Sequence, residues 1–301
     1  MPDPDHLTIS ATQSPALFGQ SPYFTRWMLY QHFAKGMSLD GGEDSRMIWG
    51  KKLQPLIIEH AAAELKLEVR PNEGDVYHRR GKLGCTRDAT IICPDRGPGA
   101  LETKCVFDYR VWMTDWLGGK APPKNHEIQL QQQMLVGDGD EGRSYDWGII
   151  AAWVCGDVYY FERKPIEKLW FHLVENAIVF FDDVRLGHEP DPFGVPVELP
   201  WLNELFPVDL EKVIDLSEHP DGPQIAEAAT QYHLAKQQES AGAREAEPLR
   251  AKLLAVAKDA ADVILPEGMR VRIRPHGKGK RVTVFIPEAT QPIPEDILSA
   301  G

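Results

Sequence analysis

The chain has 301 residues and a net charge of −12, with 43% hydrophobic and 26% charged residues. This composition allows a packed core and excludes global disorder, and no stretch nears the ~18 consecutive apolar residues of a membrane span. The N-terminus is acidic and polar without a signal-like apolar run, so we expect a cytoplasmic protein.

Helical and strand patterns follow one another along the first two thirds of the chain. Apolar residues at helical spacing predict helices, and β-branched runs bounded by turn residues predict strands. In chain order we expect a helix within 8–35, a helix at 45–67, strands at 84–93 and 100–107, a helix at 125–136, strands at 147–154 and 158–163, and a helix at 166–186. The two strands flanking residues 94–99 should form a β-hairpin, because those residues are turn formers.

Proline becomes dense after residue 188, and the periodic pattern fades. We therefore expect one domain at 1–205, a linker at 206–221 and an extension at 222–301. The extension should be helical over 222–261 and end in a hairpin at 269–286, turning at Gly277-Lys278-Gly279.

The terminal hairpin is basic, with no acidic residue between 268 and 286. Alternation along a strand places Arg270, Arg272 and Arg274 on one face. They could contact DNA or a partner protein, or they could simply keep an edge strand soluble.

Chemistry is concentrated at Asp88, followed by a turn and then Glu102-Thr103-Lys104. Side chains alternate along a strand, so Glu102 and Lys104 face the same way, and a hairpin brings Asp88 beside Glu102. Two adjacent carboxylates repel unless a cation lies between them, and a hard ion such as Mg²⁺ takes oxygen ligands. With Lys104 to orient a water and offset charge, this set suits phosphodiester hydrolysis. The alternative is a surface hairpin with an ordinary Glu102–Lys104 pair.

The segments around these residues resemble the PD-(D/E)xK nuclease superfamily and, within it, the YqaJ-like viral recombinase family that includes phage lambda exonuclease. The resemblance covers roughly residues 8 to 187 and depends on several motifs occurring in order. These are I-S-A-T at 9–12 with L-F-G at 17–19, W-G-K-K-L-Q at 49–54, G-C-T-R-D-A at 84–89, L-E-T-K-C at 101–105 and Q-L-Q-Q-Q-M at 129–134.

The resemblance implies an α+β (α/β) fold with a restriction-endonuclease-like core, in which helices flank a central mixed β-sheet. The helical C-terminal extension and small terminal β-hairpin would be additions to this core. It also implies that Asp88, Glu102 and the Thr103 backbone carbonyl bind the metal, and that Lys104 is the catalytic lysine. Mg²⁺ is the expected ion, with Mn²⁺ as a substitute.

Further site residues are implied by the same motifs. Gln131, with Gln129 as the other candidate, would line the active site. The family usually has Glu where this chain has Gln54, and an amide is a weaker metal ligand, so a second metal site would be weakened. The expected DNA contacts are Thr12, Lys51, Lys52, Gln54 and Arg87.

In function, the resemblance implies a 5′→3′ exonuclease that acts on double-stranded DNA ends, encoded by a phage or prophage and active in the cytoplasm of a bacterial host cell. Its product would be a 3′ overhang for a single-strand annealing protein, and the enzyme would be a homo-oligomer such as a trimeric ring. Two alternatives stay open. One is a site- or structure-specific endonuclease on the same fold, and the other is a catalytically impaired protein that binds DNA or docks a partner.

Overall fold

A computed structural model of the chain describes residues 7–73, 76–140, 142–237, 242–277 and 279–286. The chain forms two compact units, Met1–Pro190 and Asp191–Gly301, which divide earlier than the boundary we placed after residue 205. Residues 1–6 and 287–301 of the expected domains, and Lys278 of the expected hairpin turn, lie outside the described residues.

The first unit combines short and long strands with helices that follow them in sequence. Its strands are β1 (Ile9–Ser10), β2 (Glu68–Pro71), β3 (Tyr77–Arg80), β4 (Leu83–Thr86), β5 (Ala89–Cys93), β6 (Gly97–Val106), β7 (Gly148–Val154) and β8 (Asp157–Arg163). Its helices are α1 (Ser14–Leu17), α2 (Arg26–Lys35), α3 (Ser45–Leu65), α4 (Tyr109–Thr114), α5 (Lys124–Val136) and α6 (Glu167–Leu186). The predicted helices of this unit and the predicted strands at 100–107, 147–154 and 158–163 are therefore present to within a few residues.

A mixed five-stranded sheet forms the centre of this unit, in the order β2-β5-β6-β7-β8. Only β6 and β7 run parallel in it, with Glu102 opposite Ile150, and the other neighbours are antiparallel. A smaller sheet has the order β1-β4-β3. The predicted class, a mixed sheet flanked by helices, is confirmed.

Helices cover both faces of the central sheet. On one face, Ile57 and Ala61 of α3 pack with Leu101 and Ile149. On the other face, apolar residues of α4 and α5 pack with alternate positions of the same strands: Ala100, Val106, Trp112, Leu130, Met134 and Ile150. Because β6 is covered on both sides, each of its side chains is committed to one helical layer.

The predicted single strand at 84–93 is wrong, because the chain breaks at Arg87 and Asp88. Leu83–Thr86 pairs in the small sheet, while Ala89–Cys93 pairs in the central sheet. The predicted turn at 94–99 is also shorter than expected, since β6 already begins at Gly97. Within β6, Gly99 allows the Trp147 ring to pack closely over the strand, because a Cβ there would lie 2.6 Å from that ring.

The second unit is an α/β unit and not only a helical extension. Its elements are α7 (Leu199–Leu205), β9 (Asp209–Asp215), α8 (Gly222–Gln237), α9 (Gly242–Ala257), β10 (Ala260–Ile264), β11 (Arg270–His276) and β12 (Gly279–Phe285). The sheet order is β12-β11-β10-β9, with β9 parallel to β10. The hairpin β11–β12 was expected, but the linker at 206–221 instead contains β9, an exposed charged strand that resembles a loop in sequence.

Over the described residues, no helix has both the length and the apolar character that crossing a membrane requires.

Candidate active site

A cleft of about 740 Å³ lies in the first unit, where the break before β5 meets the middle of β6. Its floor is formed by Asp88, Glu102, Thr103 and Lys104. The predicted charged triad of Asp88, Glu102 and Lys104 therefore lines one cleft.

Asp88 occupies the chain break between the two sheets. Its Oδ2 accepts hydrogen bonds from the Thr103 amide at 2.7 Å and from the Thr103 hydroxyl at 2.6 Å. Burial and the negative charge of Glu102 raise the pKa of Asp88 to about 7, although Lys104 and the two hydrogen bonds oppose the change. The position therefore holds an acid whose negative charge lacks a full counterion.

Glu102 and Lys104 project from the same face of β6, as alternation predicted. The Lys104 ammonium donates to Glu102 Oε1 at 2.6 Å and to Gln129 Oε1 at 3.0 Å. Burial opposes the charge on Lys104, but the carboxylates of Glu102 and Asp88 outweigh that effect and raise its pKa. One ammonium thus faces two carboxylates, which leaves the floor with a surplus of negative charge.

Two glutamines of α5 fix the Glu102 carboxylate, which is only 3% exposed. Gln129 Nε2 donates to Oε1 at 2.7 Å, and Gln133 Nε2 donates to Oε2 at 2.5 Å. Positions four apart lie on one side of a helix, so α5 presents both amides to the sheet. A carboxylate held by two amides and an ammonium has little rotational freedom.

The wall beside Lys104 comes from the segment after β6 and the start of α5. It includes His126, whose ring lies 5.4 Å from that of Trp116. Burial lowers the pKa of His126 well below its usual value, and the nearby Lys104 charge acts in the same direction. Sequence reasoning assigned His126 no role, because an isolated histidine without ligand spacing carries no signal.

The donors on the floor fit a hard divalent cation. Two carboxylates lie beside each other with excess negative charge, and oxygen donors are the ligands that Mg²⁺ prefers. Among the residues that the structure describes, no group of three or more His, Cys, Asp or Glu side chains could hold a metal ion. A bound ion would therefore be completed by neutral oxygens or water, as is usual for Mg²⁺.

The first part of the chain matches the model of a known protein family. Residues 6–140 match the model of the YqaJ-like viral recombinase domain. The first part of the chain is therefore similar to YqaJ-like viral recombinase domains. Over residues 6–140 the match confirms the family resemblance inferred from the motifs, and it indicates a nuclease. No curated protein matches the chain.

Solved structures similar to the chain include exonucleases. The alkaline exonuclease LHK-Exo from Laribacter hongkongensis, in its complex with dAMP, aligns with a TM-score of 0.45 and 12% identity, over 60% of this chain and 89% of its own. A phage-related exonuclease from Haemophilus somnus 129PT aligns with a TM-score of 0.45 and 14% identity, over 61% of this chain and 97% of its own.

Two residues predicted for the site of the YqaJ-like domain lie elsewhere. Gln131 donates to the Glu127 carboxylate and to the Lys164 carbonyl, and it accepts a hydrogen bond from the Ile166 amide. It is two residues, or about 200°, away from Gln129 around the helix, so it faces the loop before α6. The amides at the site are instead Gln129, the second candidate, and Gln133, which helical spacing from Gln129 could have indicated.

Arg87 is the other residue that the structure places away from the cleft. It is 5% exposed, and its guanidinium donates to the Gly137 carbonyl and lies 5.0 Å from the Tyr145 ring centroid. Arg87 and Asp88 are consecutive but point in different directions, so Arg87 does not face the cleft that Asp88 lines. Its position supports a structural role.

The other predicted DNA contacts of the YqaJ-like domain divide into two groups. Thr12 and Gln54 line the cleft. Lys51 and Lys52 lie on the exposed side of α3, where Lys51 pairs with Glu43 and Lys52 lies 5.1 Å from the Trp49 ring centroid. The cleft is also lined by Asp44 and Arg46, which the motif comparison did not identify.

Proposed function

We propose that the chain is a Mg²⁺-dependent 5′→3′ exonuclease that degrades one strand from double-stranded DNA ends during phage-type recombination. The observation that carries the proposal is the pairing of Asp88 and Glu102 at the floor of one cleft with Lys104 beside them. The YqaJ-like domain match supports a nucleic-acid substrate and a phosphodiester hydrolysis reaction.

Asp88 and Glu102 are the proposed metal ligands, with the Thr103 backbone carbonyl as a third. A divalent cation held there would polarise the scissile phosphoryl group and make a water more acidic. Thr103 fixes Asp88 through two hydrogen bonds, and Gln129 and Gln133 fix Glu102. These contacts hold the ligands in place before substrate arrives, which reduces reorganisation during the reaction.

Lys104 supplies the positive charge at the reacting phosphate. Its ammonium lies against Glu102 and Gln129, so it is positioned by the same groups that position the metal ligands. An ammonium there orients the attacking water and offsets the negative charge that develops in the transition state. Thr12 and Gln54 on the cleft wall, with Lys51 and Lys52 outside it, are proposed to contact the DNA.

The test uses linear duplex DNA blocked at either its 5′ or its 3′ ends, incubated with Mg²⁺ and with wild type or Lys104→Ala. We expect mononucleotide release only when the 5′ end is free, and we expect Lys104→Ala to lose it. Lys168→Ala, which changes an exposed lysine on α6, is the matched control. If the wild-type protein releases no mononucleotides with any divalent metal tested and with any type of DNA end, the proposal is wrong.

Two outcomes would point to the alternative functions. Nicking or linearisation of covalently closed plasmid would favour an endonuclease, since an exonuclease leaves that substrate intact. Tight DNA binding that does not change with Mg²⁺ or with Glu102→Ala would favour a non-catalytic binding protein, a reading to which Gln54 and the net charge of −12 give some support.

The proposal extends to assembly and to the fate of the product. We propose a cytoplasmic homo-oligomer, with a trimeric ring as the form to test by light scattering of the purified protein. The 3′ overhang that the reaction leaves would then be bound by a single-strand annealing protein. Co-purification of that protein with the tagged nuclease would support this step.

A further inference from the structure

The outer face of the sheet in the second unit carries a row of arginines. Along β11, Val271 and Ile273 are buried, while Arg270, Arg272 and Arg274 alternate with them and point to the other side. Arg281 of β12 lies opposite Arg274 in the antiparallel register. We call Arg270, Arg272, Arg274 and Arg281 the arginine face.

A single buried carboxylate organises three of these arginines. Asp262 of β10 is 4% exposed and lies opposite Arg272. Its Oδ1 accepts from Arg270 Nε at 2.8 Å and from Arg272 Nε at 3.3 Å, and its Oδ2 accepts from Arg274 Nη2 at 3.2 Å. Arg270 and Arg272 bind Asp262 through Nε, so their terminal NH₂ groups remain free to bind another acceptor.

The arginine face has more positive charge than its own carboxylate can neutralise. The three arginine side chains that bind Asp262 are 45%, 40% and 39% exposed, so each presents an edge to solvent. Arg281 adds a fourth guanidinium group to this face through its register with Arg274. The face is therefore complementary to a ligand with several negative charges, and it is held in shape before that ligand binds.

An aromatic ring adjoins the arginines. Phe285 of β12 is 45% exposed, pairs with Arg270 in the register, and has the Arg272 guanidinium 5.0 Å from its ring centroid. An exposed ring on an open sheet can stack on an unpaired base, which a duplex or an acidic peptide does not offer. This ring distinguishes a nucleic-acid strand from a general polyanion.

We propose that the arginine face and Phe285 bind single-stranded DNA, with guanidinium groups on the phosphates and the ring stacked on a base. Residues two apart on a strand are about 6.6 Å apart, so β11 presents a line of donors that a flexible strand can follow. This binding goes beyond the proposed cleavage of duplex ends, uses the second unit only, and does not depend on that cleavage.

The experiment measures binding of a fluorescent oligothymidylate to the full-length protein by anisotropy, with EDTA present to prevent digestion. Arg270→Gln/Arg272→Gln keeps Arg274 on Asp262 and removes two charges. We expect its affinity to fall at least tenfold, and the slope of log K against log salt to decrease by about 1.4, at about 0.7 per lost phosphate contact. Arg70→Gln/Arg185→Gln, which removes two exposed arginines of the first unit, should keep the wild-type affinity and slope.

Phe285→Ala separates stacking from charge. It should weaken oligothymidylate binding several-fold and leave the salt slope unchanged, because a base contact releases no counterions. If the double variant melts below the assay temperature, Arg281→Gln replaces it. This substitution leaves the three arginines that bind Asp262 in place. We expect that variant to lower both affinity and slope.

Two results would overturn the proposal. The first is wild-type affinity and salt slope in both Arg270→Gln/Arg272→Gln and Arg281→Gln. The second is displacement of the oligothymidylate by polyglutamate at equal charge concentration, with Phe285→Ala without effect, which would assign the face to an acidic polypeptide.

Discussion

Two clusters in this chain combine acidic and basic side chains, but acidic groups are in excess in one and basic groups in the other. In the first unit, Asp88 and Glu102 face one ammonium, that of Lys104, at the floor of a cleft. In the second unit, one carboxylate, that of Asp262, faces three guanidinium groups on an open sheet face. Both clusters depend on charged side chains two residues apart on a strand, which places them on the same side.

In each cluster, the sign of the charge that is in excess indicates the opposite charge of the ligand that it can bind. Surplus carboxylate in a cleft favours a cation, and the pKa of Asp88 is raised to about 7 by burial and then by the neighbouring charge of Glu102. Surplus guanidinium favours an anion, and the pKa of Asp262 is lowered because its arginines outweigh the opposing effect of burial. A substitution that removes one carboxylate should therefore have opposite effects on stability in the two units.

The largest effect should come from Asp88→Asn. We expect cleavage of linear duplex in Mg²⁺ to fall at least about 10³-fold, because a proposed metal ligand is lost. The melting temperature in EDTA should nevertheless rise by about 2–4 °C, the equivalent of roughly 1 kcal/mol, because repulsion with Glu102 is removed. Activity assays and thermal melts of the same preparation check both, and a lower melting temperature would contradict the charge argument.

Asp262→Asn should act in the opposite direction. Its three arginines would repel without a counterion, and we expect unfolding free energy to fall by about 2 kcal/mol, less than for a fully buried pair because the arginines are partly exposed. Glu211→Gln on the exposed strand β9 is the matched control and should change stability by less than about 0.5 kcal/mol. Equal denaturation midpoints for the two variants would break the comparison.

The sequence predicts more of the first charged cluster than of the second. Strand alternation was enough to place Glu102 and Lys104 on one face of β6, because side chains two residues apart on a strand point to the same side. The three arginines of β11 followed from the same rule. Asp262 could not be predicted, since β10 follows α9 without a turn signal and its run of alanines is as compatible with a helix as with a strand.

Elsewhere the sequence was ambiguous for physical reasons. Residues rich in Thr, Ile and Cys lie on both sides of Arg87 and Asp88, so the segment 84–93 resembles one strand in sequence although it leaves one sheet and enters another at Asp88. The glutamines of α5 are alike in type, and only the helix phase separates Gln129 and Gln133 from Gln131. Lys280, counted with the basic hairpin, is turned inward because it alternates with Arg281.

Gln54→Glu should sharpen the contrast by adding a carboxylate to the cleft that already has a surplus. Gln54 lines this cleft from α3. A third acid should increase Mn²⁺ affinity several-fold, as measured by calorimetry, and slightly lower the melting temperature in EDTA through added repulsion. Gln54→Met, which removes the oxygen donor, is the matched control. If both variants bind Mn²⁺ as wild type does, Gln54 lies too far from the metal ligands to matter.

The smallest effect concerns Lys280, which is buried while Arg270, Arg272, Arg274 and Arg281, the other described Lys and Arg residues of the basic hairpin, are not. Its ammonium donates to the carbonyls of Leu202 and Lys258, and burial lowers its pKa to about 8, against the opposing pull of Asp259. A lysine in the unfolded chain titrates near pH ~10.4, so between about pH 8 and that value the unfolded chain holds more protons than the folded one. The free energy of unfolding should therefore rise with pH in this window.

The measurement is denaturant unfolding of wild type and Lys280→Met at pH 7.5 and pH 9. Wild type should gain up to about 1 kcal/mol relative to the variant on going to pH 9, because each pH unit in the window contributes at most ~1.4 kcal/mol. Parallel pH profiles would mean that the two carbonyls stabilise the ammonium fully, so that burial inside this unit does not act against a positive charge. In that case burial would not distinguish the inward Lys280 from the outward arginines of the same sheet in the free energy of their charged forms.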